Sequence, residues 1–371
     1  MNILLVEPYF TGSHKQWVLG FKKYSKHDVR LLVIKGQFWK WRMHGGAVTL
    51  ATEFNSMDWR PDLILATDML DLTTFLALTR SKSHRIPTAI YFHENQLSYP
   101  WSTTDRDLRK NRDTHYGFIN YASAMAADQL FFNSKFHLDS FFDSLPRFLR
   151  QFPDHRELDS VDRIQEKSGI LHLGMDLRPF NEHKTDHGNV PLILWNHRWE
   201  YDKNPDSFFG VLEKICDSGY EFNLAVLGEN FSQYPDVFID AKKLFEKQIV
   251  QWGYTKSFSD YAHWLWKAAI LPVTSNQEFF GVSVMEAMYC NTWPILPNRL
   301  TYPELLPPDH HKNHLYSNEQ DLFDKITWAI ENHGIVKSKH FQPISKPFDW
   351  ETMAPVYDHA MERIRKSYSA I

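Results

Sequence analysis

The stretch that decides the fold is Gln277-Glu278-Phe279-Phe280-Gly281-Val282-Ser283-Val284-Met285-Glu286, in which two glutamates stand eight positions apart. An apolar run ends just before it, Gly281 lets the backbone approach a ligand closely, and a helical pattern begins there. The free N–H groups at a helix start and the positive end of the helix dipole form an anion site suited to a diphosphate. An ordinary capped helix with a solvated glutamate is the alternative interpretation, and it suits Glu286 alone better than it suits the pair.

This stretch resembles the E-x7-E element of the large family of retaining glycosyltransferases that includes sucrose synthase and the bacterial phosphatidylinositol mannosyltransferases. The resemblance implies the GT-B fold, with two facing Rossmann-like domains, and a nucleotide sugar held by this element. It also implies that Glu278 contacts the hydroxyls of the donor sugar and that Glu286 contacts the ribose. The donor-binding residues implied within the element are Glu278, Phe279, Phe280, Gly281, Val282 and Glu286.

The composition is that of a globular protein without a membrane partner. The 371 residues, 43% hydrophobic and 23% charged, are enough for two domains of ordinary size. No apolar run approaches the ~20 residues of a membrane span, and the first residues read as a buried strand rather than a signal peptide. Two cysteines are too few for a disulfide scaffold. We therefore expect a cytoplasmic protein, and the sequence predicts no oligomeric state.

Short β-rich runs alternate with helical patterns, which predicts an α/β fold of doubly wound parallel sheets. The first series of predicted strands is 2–7, 29–34, 62–66, 87–92 and 128–132, and the second is 191–196, 222–228, 248–252, 269–273 and 293–296. The polar segment 152–169 is interpreted as an excursion from the sheet.

The predicted domains are an N-terminal acceptor domain over 1–175 and a C-terminal nucleotide-sugar domain over 176–349. The run 170–180 resembles the family's interdomain hinge. The remaining residues, 350–371, resemble the family's C-terminal helix, which crosses back to pack on the first domain. Trp350 is interpreted as a core anchor of that helix, because large aromatic side chains are usually buried.

Two cations follow the predicted strand 191–196 on the donor side. Arg198 and Lys203 stand where the family keeps an Arg–Lys pair, and fixed cations stabilise the charge that develops on a departing diphosphate. A solvated loop is the alternative for either residue alone. Gly228 and Trp252 end the next two strands, and the resemblance implies that their loops flank the nucleobase and ribose. The residues themselves do not distinguish guanine from uracil.

Polar residues also follow two strands of the first series. Gly12, Ser13 and His14 stand in the turn after the first strand, at the carboxyl end where such sheets bind ligands. The run is not a G-x-G-x-x-G fingerprint, which argues against a dinucleotide oxidoreductase. We assign Gly12 and Ser13 to the donor and His14 to the acceptor.

His93 comes directly after the strand 87–92. The resemblance implies that this histidine lies beside the transferred sugar, while a structural histidine is the alternative. We assign the following Glu94, Asn95 and Gln96 to the acceptor.

The sequence shows no protein nucleophile, neither a nucleophile elbow nor a Ser-His-Asp pattern. The family is usually described as retaining configuration by attack on the face from which the diphosphate leaves, with the leaving phosphate taking the acceptor proton. The catalytic residues are then His93, Glu278, Arg198 and Lys203.

We expect no metal or other cofactor. Asp105-Arg106-Asp107 lies in a charged, helix-like stretch and is interpreted as a surface rather than a metal site. The group His310, His311 and His314 has no carboxylate at a set spacing, and a structural metal there is a minor alternative.

The acceptor is indicated by cations interleaved with aromatic residues, a combination that stacks bases and holds phosphates. The residues predicted to bind nucleic acid are Lys35, Trp39, Lys40, Trp41, Arg42, Arg106, Arg109 and Arg112. The alternative is a loop whose tryptophans simply pack on the domain.

Several segments, in order along nearly the whole chain, resemble the tRNA-queuosine mannosyltransferases more closely. They are Val6-Glu7-Pro8-Tyr9-Phe10-Thr11-Gly12-Ser13-His14, 38–42, Tyr91-Phe92-His93-Glu94-Asn95-Gln96, Phe132-Asn133-Ser134 and 195–205. The resemblance implies transfer of mannose from GDP-mannose to the cyclopentenediol of queuosine at the wobble position of tRNA(Asp). The alternatives are a GT-B glycosyltransferase with a lipid or carbohydrate acceptor, a sugar-nucleotide epimerase of similar fold, and a tRNA-binding protein without activity.

Overall fold

The structure is a computed structural model that describes residues 1–101, 115–229 and 234–369. It divides into two compact units. The first contains Met1–Met175 together with Trp350–Ile371, and the second contains Asp176–Asp349.

A six-stranded parallel sheet forms the centre of the first unit. Its strands are β1 (Asn2–Phe10), β2 (Asp28–Lys35), β3 (Leu63–Thr67), β4 (Thr88–Phe92), β5 (Gln129–Phe132) and β6 (Ser168–Ile170). Their order across the sheet is β2-β1-β3-β4-β5-β6, and every neighbouring pair is parallel. The central strands β3 and β4 are buried along their whole length, as expected for strands covered by helices on both faces.

Helices connect these strands, and a side chain caps the first turn of two of the described helices. The helices are α1 (Gly12–Tyr24), α2 (Trp39–Ser56), α3 (Leu72–Ser83), α4 (His115–Ala126), α5 (Lys135–Leu149) and α6 (Ser160–Glu166). Asp71 accepts a hydrogen bond from the Thr74 N–H at 3.0 Å, and Ser134 accepts one from the His137 N–H at 3.0 Å. Such caps satisfy N–H groups that have no partner within the helix.

The second unit is built on another six-stranded parallel sheet. Its strands are β7 (Leu192–Trp195), β8 (Asn223–Val226), β9 (Ile249–Trp252), β10 (Ile270–Pro272), β11 (Trp293–Pro297) and β12 (Leu315–Tyr316). The order β12-β11-β10-β7-β8-β9 is the strand order of the Rossmann fold.

The helices of the second unit are α7 (Pro205–Asp217), α8 (Val237–Leu244), α9 (Phe258–Lys267), α10 (Val282–Tyr289), α11 (His311–His314), α12 (Glu319–Glu331), α13 (His333–Lys337) and α14 (Gln342–Ser345). Short 3₁₀ helices lie at Arg178–His183, Tyr201–Lys203, Tyr302–Leu305, Pro308–His310 and Lys346–Phe348. None of the helices in the described part of the chain has both the length and the apolarity needed to cross a membrane.

The predicted α/β class with two doubly wound sheets is confirmed, but two edge strands were not predicted. The segment 152–169, interpreted as an excursion, contains α6 and the start of β6, which pairs with β5. Its three residues, Ser168–Ile170, are not buried and give no apolar run. The two-residue strand β12 is too short for a period to be visible.

The C-terminal helix α15 (Trp350–Ser369) belongs to the first unit. Trp350 is only 1% exposed, which confirms its interpretation as a core anchor. Its N–H donates to the Met175 carbonyl at 2.9 Å. Farther along the helix, the Tyr357 hydroxyl accepts from Trp17 Nε1 at 3.0 Å and donates to the His172 carbonyl at 2.9 Å. The helix is therefore joined to α1 by aromatic side chains and hydrogen bonds.

Gly20→Ala should destabilise the first unit, because a Cβ at Gly20 would lie 1.8 Å from Trp350 Nε1. Overpacking of this kind costs about 1–3 kcal/mol. Gly210→Ala, in α7, is the matched control: its Cβ would meet no atom within 4 Å, so the variant should gain about 0.5–1 kcal/mol from helix propensity. Urea unfolding followed by tryptophan fluorescence measures both, and equal effects would contradict this account of α15.

Candidate active site

The candidate site residues follow strands near the point where the strand order of each sheet reverses. In the first unit, the chain runs from β1 outward to β2 and returns to β3 on the other side of β1. In the second unit, β7 and β10 are the corresponding neighbours. Ligands of doubly wound sheets bind beyond the carboxyl ends of strands at such switch points. The loops after β1, β3, β4, β7 and β10 therefore carry the candidate residues.

Lys203, in the 3₁₀ helix after β7, is a buried cation held by two carboxylates. Its Nζ lies 3.2 Å from Asp202 Oδ2 and 3.3 Å from Glu278 Oε2, and donates to the Gln277 carbonyl at 3.1 Å. Burial would lower the pKa of this ammonium, but the charges of Glu278 and Asp202 outweigh burial and raise the pKa. The side chain is therefore charged at neutral pH.

Glu278 is the partner of Lys203 on the loop after β10. Burial would raise the pKa of its carboxyl, but Lys203 and the other interactions outweigh burial and lower it. Arg198 completes this group, because its guanidinium lies 3.9 Å from Asp202 Oδ2 and 3.7 Å from Glu200 Oε1. The structure thus links three predicted residues, Arg198, Lys203 and Glu278, through shared carboxylates.

Gly281 stands immediately before α10 with φ of 96°, a left-handed conformation that L side chains rarely adopt. The helix α10 begins at Val282. As at the start of any helix, its first N–H groups have no partners inside the helix. Phe279 and Phe280, which were predicted to bind the donor, are only 4% and 3% exposed. Phe280 packs on Phe348 at 5.5 Å between ring centroids. Their side chains anchor the loop, so any contact of theirs with a donor would involve the backbone.

Glu286 lies farther along α10, where it contacts Tyr261 rather than the Lys203 group. The Tyr261 hydroxyl donates to Glu286 Oε2 at 2.7 Å. Burial raises the pKa of Glu286 to about 7, although the hydrogen bond from Tyr261 opposes this. Near neutral pH the carboxyl is therefore divided between its neutral and its charged form.

His197 is a site residue that the sequence analysis missed. Its Nδ1 lies 2.9 Å from the Ser283 hydroxyl, and the adjacent Asn196 donates to the Ser283 carbonyl at 2.8 Å. These contacts join the loop after β7 to the first turn of α10. Burial, reinforced by the charge of Lys203, lowers the pKa of His197 to about 3, so the imidazole is neutral. The resemblance implied a role for His93 but none for His197, which was quoted only within the segment 195–205.

The predicted residues Gly228 and Trp252 hold neighbouring loops in place. Gly228 has φ of 102°, and a Cβ there would lie 1.9 Å from the His197 carbonyl oxygen. Only glycine therefore allows the loop after β8 to approach the loop after β7. Trp252 is half-buried at the end of β9 and packs edge-to-face on Trp199 at 5.4 Å.

The first unit contains a buried ion pair between β1 and α1. His14 Nδ1 lies 2.8 Å from Glu7 Oε2, and Glu7 Oε1 accepts from the Tyr9 N–H at 2.6 Å. Burial would lower the pKa of His14, but the charge of Glu7 and the hydrogen bond with it raise the pKa to about 9. His14 is therefore an imidazolium at neutral pH. Glu7 belongs to the segment Val6–His14 that carries the family resemblance, but the sequence does not reveal that it pairs with His14.

His93, directly after β4, has a ring centroid 4.2 Å from that of His14. The backbone N–H of His93 donates to Asp68 Oδ1 at 2.8 Å. The His93 ring packs edge-to-face on Trp17, with 4.7 Å between the ring centroids. Burial, with the charge of His14, lowers its pKa well below the usual value, so His93 is neutral. Its buried Nε2 has no hydrogen-bond partner in the described structure, as would suit an atom that contacts a ligand.

Glu7, His14 and His93 each offer a ligand atom, and these atoms lie within 4.8 Å of one another, as in a metal site. Both Glu7 oxygens, however, already accept hydrogen bonds, and a metal would require a neutral His14. The ion pair accounts for the proximity of Glu7 and His14.

The other group considered for a metal was His310, His311 and His314. His311 Nε2 lies 3.0 Å from the Pro303 carbonyl oxygen, and His314 Nδ1 lies 2.7 Å from the Pro294 carbonyl oxygen.

The other predicted residues of the turns after β1 and β4 are divided between exposed and structural positions. Gly12 and Ser13 are exposed at the start of α1. Asn95 is fully buried, and its Oδ1 accepts from the Leu97 and Ser98 N–H groups in a turn. Glu94 Oε1 accepts from Gln96 Nε2 at 2.9 Å.

The predicted acceptor residues at and before the start of α2 differ in their exposure to solvent. Lys35 and Trp41 are exposed, whereas Trp39 packs beside Tyr116 at 5.0 Å. Lys40 Nζ lies 5.5 Å from the Trp39 ring centroid, and Arg42 Nε donates to the Lys35 carbonyl at 3.2 Å. The predicted nucleic-acid-binding residues Arg106, Arg109 and Arg112 lie outside the described residues.

The fold and the cation-bearing loops of the second unit define a glycosyltransferase of the GT-B class. The model of the family Glycosyl transferases group 1 matches residues 178–343. Anabaena HepE in complex with UDP-glucose superposes with a TM-score of 0.68 at 16% identity, covering 100% of both chains. Sucrose-phosphate synthase from Thermosynechococcus elongatus gives a TM-score of 0.72 at 12% identity, covering 99% of this chain and 100% of that one.

The first unit narrows the family further. The model for the N-terminal region of tRNA-queuosine alpha-mannosyltransferase matches residues 2–175. The Drosophila melanogaster tRNA-queuosine alpha-mannosyltransferase is 31% identical over 336 residues, which cover 88% of this chain and 86% of that relative. The chain belongs to the tRNA-queuosine alpha-mannosyltransferase family.

Glu286→Gln should stabilise the unliganded protein more at about pH 8 than at about pH 5. The folded-state pKa of about 7 lies above the usual glutamate value of 4.5, so the folded form retains a proton that the unfolded form releases. Stability is therefore lost as the pH rises through this range, and glutamine, which resembles the protonated acid, avoids the loss. Thermal unfolding at the two pH values measures the difference.

Glu53→Gln serves as the control, because Glu53 is exposed on α2 and its replacement should change the unfolding midpoint little at either pH. If Glu286→Gln changed the midpoint equally at both pH values, a carboxyl that titrates in this range would be contradicted.

Proposed function

We propose that this protein transfers mannose from GDP-mannose to queuosine at the anticodon wobble position of tRNA(Asp), with retention of configuration. The observation that carries the proposal is the match to the Drosophila tRNA-queuosine alpha-mannosyltransferase, because it extends over 88% of the chain and so includes both units. The paired cation Lys203 supports it, since a glycosyltransferase must stabilise the charge of a departing diphosphate.

In the proposed reaction, the bond between the anomeric carbon of mannose and the diphosphate oxygen breaks. A cyclopentenediol hydroxyl of queuosine forms the new bond on the same face of the sugar, and its proton passes to the leaving phosphate. Arg198 and Lys203 stabilise the charge that accumulates on the diphosphate, as do the first N–H groups of α10. The proposal requires no metal ion, because these groups supply the positive charge.

The protonation states of Glu278 and His93 suit the remaining donor roles. Glu278, ionised beside Lys203, accepts hydrogen bonds from mannose hydroxyls, and Glu286 accepts them from the ribose. His93 is neutral and is assigned to the transferred mannose through its Nε2. Gly12 and Ser13 are assigned to the donor. These assignments follow the family resemblance.

The acceptor roles are assigned to the first unit. The exposed Lys35 supplies positive charge, which suits the phosphates of tRNA, and His14 is also assigned to the acceptor. Glu94 and Gln96 are assigned to the queuosine nucleoside, because hydrogen-bonding side chains recognise the edges of an unstacked base.

Incubation with GDP-mannose or UDP-glucose, with tRNA that contains or lacks queuosine, tests the proposal by nucleoside mass spectrometry. We expect a hexose to be added only from GDP-mannose and only to queuosine. Lys203→Ala should reduce this transfer by about 10²–10³-fold, by analogy with the loss of a group that stabilises transition-state charge.

Lys214→Ala is the control, because Lys214 is exposed on α7 and forms an ion pair with Glu319. It should leave transfer unchanged. If no hexose were added to either tRNA from either donor, the proposed acceptor would be refuted and a carbohydrate or lipid acceptor would be favoured. Conversion of the donor without tRNA would favour an epimerase.

A further inference from the structure

Two aromatic side chains at the start of α2 extend into solvent. Phe38 is 75% exposed and Trp41 is 63% exposed. Phe38 directly precedes α2, and Trp41 lies in the first turn of that helix. Trp39, between them, instead packs toward a buried cluster that includes Met43 and Tyr116. The exposure is therefore specific to these two rings and does not extend to the whole aromatic segment.

The backbone holds both rings in place. Phe38 has φ of 53°, a left-handed conformation that is unfavourable for a bulky side chain. Its carbonyl accepts from the Trp41 N–H at 2.8 Å and from the Arg42 N–H at 3.1 Å, which starts the helix at this point. Trp41 lies against Gly45, where a Cβ would be 2.6 Å from Trp41 Cζ2. The glycine thus permits this position of the indole.

The segment of chain that carries these two rings has basic residues and no acidic ones. Residues 29–52 contain no Asp or Glu, but they include Lys35, Lys40 and Arg42. Lys35 is exposed beside Phe10 in the sheet register, and Lys15 Nζ lies 5.8 Å from the centroid of the Phe10 ring. An apolar protein partner would not require this clustering of cations, whereas a polyanion would.

We propose that Phe38 and Trp41 form a stacking surface for unpaired bases of RNA, and that Lys35 and Arg42 contact the adjoining phosphates. Exposed rings beside cations are the combination with which proteins bind single-stranded nucleic acid. Bases in a duplex are already stacked, so this surface selects a loop. The inference rests on the proposed function for the identity of the RNA, which would be the anticodon loop.

The experiment measures the affinity of the protein for a short RNA hairpin with an unpaired loop and for a fully paired duplex, by fluorescence anisotropy over a range of salt concentrations. Phe38→Ala and Trp41→Ala should each weaken hairpin binding by about 5- to 150-fold, the range for loss of one stacked base. Neither should change duplex binding or the salt dependence.

Lys35→Ala is the electrostatic comparison, and it should reduce the slope of log affinity against log salt by about one. Gly45→Ala tests the position of the indole without removing it and should weaken hairpin binding while the unfolding temperature is retained. Val48→Ala is the control on α2: Val48 is 50% exposed, lies seven residues after Trp41 and has no ring to stack.

Unchanged hairpin affinity in Phe38→Ala and Trp41→Ala, or an equal loss in Val48→Ala, would overturn the stacking surface. Because the hairpin needs neither queuosine nor a donor, failure of this proposal is distinguishable from failure of the proposed function. Ring-dependent hairpin binding by a protein that does not modify queuosine would preserve the surface and refute the proposed reaction.

Discussion

The buried ammonium of Lys203 is the constraint on which the arrangement of the donor-side loops depends. A lysine removed from water costs several kcal/mol unless carboxylates and hydrogen-bond acceptors surround it. Asp202 and Glu278 therefore have to come together from the loops after β7 and β10. The backbone reinforces this arrangement, because the Thr274 hydroxyl donates to the Lys203 carbonyl at 3.0 Å and the Asn276 N–H donates to the Asp202 carbonyl at 2.8 Å. The charged group that is proposed to bind the donor diphosphate thus also fixes the local fold.

The first unit also contains a buried cation paired with a carboxylate, in this case the histidine His14. Glu7 keeps His14 protonated, and His93 beside it stays neutral, so two adjacent imidazoles take different charge states. Trp17 supports His93 from one side and is itself held by Tyr357 of α15. The C-terminal helix therefore stabilises the candidate site indirectly, through one aromatic residue. This explains physically why a helix distant in sequence from β4 is relevant to His93.

The sequence predicted the features that depend on local order. The alternation of apolar runs located ten of the strands among the described residues, and Gly281 marked the start of α10 through its conformational freedom. Contacts between distant residues could not be predicted in this way. The pairing of Lys203 with Glu278 depends on how the chain returns to the sheet, and the pairing of Glu7 with His14 depends on the turn between β1 and α1. Likewise, whether Phe38 or Trp39 is exposed depends on a single left-handed residue, which composition does not reveal.

The measurement that tests the central claim most directly is calorimetric titration of GDP and of guanosine into the wild-type protein and the Lys203→Met variant, with unfolding temperatures recorded for both. If the paired ammonium binds the donor diphosphate, the affinity for GDP should fall by about tenfold or more, as expected for loss of a charged hydrogen bond. The affinity for guanosine, which has no phosphate, should stay the same. Equal GDP affinity in the two folded proteins would contradict the claim that Lys203 holds the donor.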